Sequence, residues 1–348
     1  MSRNDLHWFD AHLDLATLAV EGRDLRVSVE EATGEPQPAS VTLPSLRAGQ
    51  VVGSLATIFT APEEPGPCGY PSSEDLDAAH QAGRIQLEVY EEWERAGLVR
   101  RVEAGVDFEF SPGREPLAIA ILMEGADPIR RPDEASWWVD RGVRVVGLSW
   151  GRGTRYAGGN ARPGGLTMLG RALVDELDEL GVIHDLSHLP DGAAWELLEH
   201  TRGPVIASHS NCRALVDGQN QRHLPDELIQ AIGDRGGVVG LNLFSAFLTP
   251  DGTQRRATIE ETTDHVVRIA ELTGRRSAVG LGSDMDGGFG ADRMPQGIDQ
   301  PSDLMRLLDD LKRRGWSDRE VDGFAWVNWA GFFARRLPRR PVKRPTTH

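Results

Sequence analysis

The stretch "GLTMLGRALVDELDELGVIHDLSH" (165–188) holds a helix, its stop signal and a strand in one short piece of chain. Apolar positions recur at helical spacing from 165 to 180, and Gly181 stands where helices commonly end. "VIHDLSH" (182–188) follows, a β-rich apolar run without strict polar alternation, which fits a strand covered on both faces of a parallel sheet. That strand closes on His188. A helix feeding a buried strand that delivers a polar side chain at its carboxyl end is one unit of an α/β fold.

The unit recurs along the chain. Strand-like runs stand at "LHWFDAH" (6–12), "VVGSLATIF" (51–59), "LAIAILMEG" (117–125), "VRVVGLSW" (143–150), "PVIASHS" (204–210), "GVVGLNLF" (237–244) and "AVGLGSDMDG" (278–287). Helical patterns separate most of them, over 74–97 and near 190–201, 225–235, 257–273, 302–314 and 317–337. Eight strands alternating with helices predict a (β/α)8 TIM-type barrel. A doubly wound open sheet is the alternative, weakened because no Gly-rich phosphate fingerprint follows any strand. The 348 residues suit a single barrel domain over 1–337. Residues 22–45 read as a small hairpin or excursion inserted after strand one, and 61–73 as a Pro/Gly/Ser-rich loop. The basic, Pro-rich tail at 338–348 reads as a frayed terminus.

Composition narrows the partners. Lys and Arg number 38 against 53 Asp and Glu, a formal net charge of −15, and so acidic a surface repels phosphate backbones and argues against nucleic acid. No apolar stretch approaches the ~20 residues needed to span a bilayer. The start "MSRNDLHWFD" lacks the basic n-region and apolar run of a signal peptide, so the expected location is cytoplasmic. The two cysteines, Cys68 and Cys212, form neither a metal spacing nor a disulfide framework.

Six polar residues fall at the carboxyl ends of the predicted strands, where barrels of this type keep their catalytic groups. They are His12 and Asp14 on strand one, Glu124 on strand three, His188 on strand five, His209 on strand six and Asp284 on strand eight. In "WFDAHLDLA" (8–16), His12 and Asp14 stand two apart, so on a strand they point the same way. Any one of these histidines alone reads as a satisfied core residue; six placements at matching strand ends read as a site. Three histidines, one aspartate and one glutamate make a nitrogen and oxygen donor set without thiolate. It suits zinc, with manganese, cobalt or iron as substitutes. Five ligands exceed what one catalytic ion needs if water is to keep a place. They predict two Zn2+ ions about 3.5–4 Å apart bridged by a carboxylate, with Glu124 the natural bridge. Water held between two cations becomes a hydroxide nucleophile near neutral pH.

These segments together resemble the renal, or membrane, dipeptidases, a metallopeptidase branch of the amidohydrolase-like barrels. The resemblance is carried by "DAHLD" (10–14), "LPSLRAGQVVGSLATIF" (43–59), "MEGAD" (123–127), residues 165–188, "PVIASHSNCRAL" (204–215), "QRHLPDE" (221–227) and "GSDMDG" (282–287). It implies that His12, Asp14 and Glu124 hold one zinc and Glu124, His188 and His209 the other. Arg222 would bind the free carboxylate of a dipeptide, a task that a guanidinium fork performs bidentately. Asp284 would take a proton from the bridging water and pass it to the departing amine. Asp286 competes for that role, and the alternative for either aspartate is to cap the turn. The resemblance also suggests a homodimer.

Two departures from the family pattern stand out. Trp150 in "VVGLSWGRGTRYAGG" occupies the place where the family carries a histidine that contacts the scissile carbonyl, and indole donates one hydrogen bond but cannot become a cation. Arg152 or Arg155 in the following loop is a candidate substitute. In "AWVNWAGFFARRL", Asn328 is kept while Trp326 and Gly331 replace the family's residues. The reading is therefore a zinc dipeptidase. The alternatives are a binuclear amidohydrolase acting on another amide, an N-acyl amino acid or a lactone, and a catalytically impaired barrel with a binding role. The remaining histidines, including His184 and His223, read as core or surface residues.

Overall fold

Eight strands form where the apolar runs predict them, in a computed structural model that describes residues 6–108, 116–216 and 218–338. They are β1 (Trp8–Leu13), β2 (Val51–Phe59), β3 (Leu117–Glu124), β4 (Val143–Gly147), β5 (Ile183–Asp185), β6 (Val205–Ile206), β7 (Val239–Leu241) and β8 (Val279–Leu281). All pair in parallel, in the order β6-β5-β4-β3-β2-β1-β8-β7, and a bridge between Ala207 and Val239 joins the two ends. The result is a nearly closed (β/α)8 barrel. The open doubly wound sheet is thereby set aside.

Side chains fill the barrel. Phe9, Leu55, Ala120, Val145, Ile183 and Ile206 belong to one buried cluster with Trp329 and Phe333 of the helix Asn328–Arg336. Phe9 and Phe333 lie 5.4 Å apart between ring centroids, and Trp329 donates its indole N–H to the Leu281 carbonyl at 2.9 Å. Each buried Val, Leu, Ile or Phe of this cluster contributes about 1.5–3 kcal/mol. This plug seals the amino-terminal end of the barrel and leaves the carboxyl-terminal end for chemistry.

Strands β5 to β8 are shorter than their apolar runs. Buried carboxylates take over the backbone donors where the ladder stops. Asp185 accepts from the Ser187 and Ser208 amides at 3.0 and 2.8 Å, while Asp10 accepts from the His12 and Ser283 amides at 3.2 and 2.8 Å. Close packing continues above them: a Cβ on Gly240 or on Gly282 would fall 1.8 Å from the Ser208 carbonyl oxygen, so neither position admits a side chain.

The 22–45 segment is an excursion of turns and bends, not a hairpin, and it runs into the helix Leu43–Ala48, which Thr42 caps. A small antiparallel ribbon, Ala157–Gly159 with Arg162–Leu166, follows β4; its Gly-rich sequence gives no strand signal. Of the predicted tail at 338–348, all but Pro338 lie outside the described residues.

Candidate metal centre

The residues at the strand exits converge. His12 is the penultimate residue of β1 and Glu124 the last of β3. His188 and Asp284 lie beyond β5 and β8 in left-handed backbone, with φ of 67° and 59°. Such conformations are uncommon for residues with a Cβ and cluster at functional sites. Glu124 divides its carboxylate: Oε2 lies 3.5 Å from His12 Nε2, while Oε1 lies 3.1 Å from His188 Nε2 and 3.4 Å from His209 Nε2. His12 Nε2 also lies 3.8 Å from Asp14 and 3.9 Å from Asp284. The His188 and His209 Nε2 atoms face each other at 3.0 Å.

This crowd of donors fits cations. His12, Glu124 and His209 each offer a ligand atom within 4.8 Å of the others, and so do His12, Asp14 and Asp284. Glu124 Oε1 is buried without a well-formed hydrogen bond. The titration behaviour reports the same strain. Burial pulls His12 down, but Glu124, Asp14 and Asp284 outweigh it and raise it to about 10. Burial and the Arg222 charge hold His188 at about 4, with Glu124 opposing. Burial pushes Asp284 up to about 7, the neighbouring Asp14 and Glu124 adding to it against His12 and Arg222. Groups this frustrated, gathered in a cleft, mark a functional site.

The cleft is a cavity of about 660 Å3 at the barrel mouth. Arg222 reaches it from the loop after β6, buried at 4% exposure. Its Nη2 donates to the His209 carbonyl at 2.9 Å and Nη1 to Ser210 Oγ at 3.3 Å, and Nε has no partner. Among the described residues no carboxylate pairs with it.

Comparison by sequence shows the family. The family model for membrane dipeptidases, peptidase family M19, covers residues 3–333. The chain belongs to the membrane dipeptidase family. By that membership it is a hydrolytic metallodipeptidase. A Klebsiella pneumoniae protein named only for its place in the pqqA 5' region is 32% identical over 246 residues, or 67% of this chain and 88% of that protein. A Schizosaccharomyces pombe protein described as an uncharacterized dipeptidase is 27% identical over 340 residues, or 92% of this chain and 78% of that one. The crystal structure of a metallopeptidase from Rhodobacter sphaeroides, liganded with a phosphinate mimic of the dipeptide L-Ala-D-Ala, shares the fold. It has a TM-score of 0.81 at 23% identity and covers 96% of this chain and 100% of that one.

Other polar residues of this membrane dipeptidase family member fall into place around the centre. Trp150 lines the cavity, edge-on to Phe59 at 5.2 Å and 6.1 Å from the His188 ring. Arg155 faces away from the cavity, donating to the Ile129 carbonyl at 2.7 Å beside Asp127. Arg152 lines the cavity but is held by Glu64 at 2.6 Å and the Glu63 carbonyl at 2.6 Å. Asp286 accepts from the Ser40 and Val41 amides and pairs with Arg23, so it anchors the 22–45 excursion. His184 pairs with Asp178 at 2.7 Å, and His223 packs edge-on against Phe247.

Three supports were not anticipated. Asn160, at the tip of the ribbon, accepts at 2.9 Å from His188 Nδ1; Asn242 donates to Asp284 Oδ2 at 2.8 Å; Ser208 Oγ lies 2.7 Å from His209 Nδ1. Only Asn242 had a signal, as the lone polar residue inside "GVVGLNLF". Among the described residues no helix is long and apolar enough to cross a membrane.

Proposed function

We propose that the chain hydrolyses the amide bond of dipeptides at a centre of two divalent cations, with His12, Asp14 and Glu124 holding one and Glu124, His188 and His209 the other. The divided Glu124 carboxylate is the observation that carries this reading, since each oxygen faces a different histidine set. The donors suit zinc, and the bound pair would supply the Lewis acidity that activates water and polarises the amide carbonyl.

The chain's own residues do the rest. Arg222 receives the free carboxylate of the substrate and so fixes the scissile bond over the centre. Asp284 stands 3.9 Å from His12; as the carboxylate it takes the proton of the attacking water, and as the acid so formed it returns that proton to the departing amine nitrogen. Asn242 orients that carboxylate through its amide. Trp150 bounds the substrate above His188. Because it stands where the family carries a histidine, it also favours a second reading, in which the amide belongs to an N-acyl amino acid or the bond is a lactone.

The reading includes a cytoplasmic setting, which cell fractionation would test, and a homodimer, which light scattering would test. The deciding experiment is a hydrolysis assay on a dipeptide panel with L and D carboxyl-terminal residues, using zinc-loaded protein beside a chelated control. Zinc-dependent cleavage establishes the dipeptidase reading. Two ions bound per chain and no cleavage would move it to the second reading.

A further inference from the structure

The cavity wall beside Arg222 is aromatic. Phe244 and Phe289 stack with ring centroids 4.5 Å apart and 19° between planes, and Phe247 meets Phe244 edge-on at 4.9 Å. The Arg222 guanidinium lies 5.2 Å from the Phe247 centroid. All three rings come from the loops after β7 and β8 and line the cavity that holds His12, Glu124 and Asp284. Phe244 and Phe247 are only half-buried, so part of their apolar surface faces the space a substrate would fill.

We infer that this wall receives the side chain of the residue carrying the free carboxylate, and that it selects an aromatic or branched apolar side chain there. The inference rests on the dipeptidase reading above. With the carboxylate on Arg222 and the scissile carbonyl at the Glu124 centre, the Cα of the departing residue lies between them, and its side chain meets the rings that flank Arg222. An apolar group there removes its own surface and that of Phe244 and Phe247 from water. A carboxylate side chain would be desolvated against three rings, and the guanidinium beside Phe247, that of Arg222, is already taken by the substrate's own free carboxylate. An ammonium would face the Arg222 charge.

The test compares kcat/KM of the zinc-loaded protein on Ala-Phe, Ala-Leu, Ala-Gly, Ala-Asp and Ala-Lys, with L and D forms of each chiral carboxyl-terminal residue. Selection by a hydrophobic pocket predicts Phe and Leu ahead of Gly by about 10- to 100-fold, with Asp and Lys at or below Gly. The Phe-to-Gly ratio should fall about tenfold in Phe289→Ala, and less in Phe289→Leu, which keeps apolar bulk if the smaller side chain fails to fold. A second readout does not need turnover: N-acetyl-phenylalanine should raise the melting temperature of the zinc-loaded protein more than N-acetyl-glycine at equal concentration. Cleavage with no preference, or with Asp or Lys preferred, overturns the inference and leaves the dipeptidase reading standing. No cleavage of any dipeptide, with the melting shift still favouring phenylalanine, retains the wall and overturns the dipeptidase reading. No cleavage and equal shifts overturn both.

Discussion

Ser208 Oγ lies 2.7 Å from His209 Nδ1, and the same oxygen lies 2.5 Å from Asp185 Oδ2. Asp185 as a carboxylate can only accept, so the hydroxyl proton points to it and the hydroxyl oxygen accepts from His209 Nδ1–H. That leaves the Nε2 lone pair directed at Glu124. Asn160 does the same for His188, its amide oxygen accepting from Nδ1 at 2.9 Å. Two of the three histidines are thus locked in the tautomer a metal ligand needs.

Removing the lock should loosen the centre. Ser208→Ala is expected to weaken metal binding about 10- to 100-fold, the usual cost of losing the group that orients a liganding histidine. Competition against a chromophoric chelator measures it. Asn160→Ala should do the same at His188. Unchanged affinity in both variants would show that these bonds hold loops and not the centre.

Arg222 offers a second prediction. A buried guanidinium that has no ion pair among the described residues is costly to keep unless a ligand supplies the counter-charge. Arg222→Ala should lower kcat/KM on dipeptides about 100-fold or more, mainly through KM, as expected for loss of a buried charged partner. The decisive comparison is with the dipeptide amide, which lacks the carboxylate: the parent should prefer the acid strongly and the variant should prefer neither. Arg222→Lys should restore only part of the preference, because a point charge lacks the fork geometry.

The strand exits were legible because a strand buried in a parallel barrel must be an apolar run, and a charged residue closing such a run has few reasons to be there. "LAIAILME" is the plainest case, with Glu124 ending it. Asn160 was not legible, since its contact with His188 depends on a ribbon whose "AGGNARPGG" reads as a turn. Ser208 and Asp185 were hidden differently. In "VIHDLSH" and "PVIASHS" they read as polar background within short strands, and only the fold shows that one carboxylate ties β5 to β6. Asp284 and Asp286 could not be separated by spacing alone. Their partners separate them: one faces His12, and the other is filled by Ser40, Val41 and Arg23.

The third prediction concerns pH and metal-stripped protein. Burial, against the opposing His12, raises Asp284 to about 7 from its ordinary 3.8. Between those values the folded chain keeps a proton that the unfolded chain has released, so the contribution is present below pH 4 and is lost as pH rises through 7. Asp284→Asn removes a group that can ionise and keeps a partner for the Asn242 amide. Relative to the parent, the chelated variant should therefore be about equally stable near pH 4 and more stable at pH 8, by urea unfolding at both. A variant less stable at pH 8 by the same amount as at pH 4 would contradict the assignment. On zinc-loaded protein the same substitution should lower kcat about 100- to 10,000-fold, the range for loss of a general acid–base.

The fourth prediction separates the anchor from the chemistry. The Arg23 and Asp286 side chains are both at 0% exposure and paired to each other, and Asp286 also accepts from Ser40 Oγ at 2.8 Å and the Val41 amide at 2.8 Å. Asp286→Asn keeps the shape but leaves the Arg23 guanidinium buried without a counter-charge. Breaking a buried pair from one side costs about 3–5 kcal/mol, because the remaining ion stays desolvated. Urea unfolding should show a loss of that size, and replacing both residues by apolar ones of similar volume should recover much of it. The segment carries Glu35 and Pro36 to the cavity mouth, so KM should rise in the single variant while kcat changes less. A loss below about 1 kcal/mol, in the range of an exposed pair, would mean that Arg23 finds water or another acceptor and that the excursion is held by its backbone bonds instead.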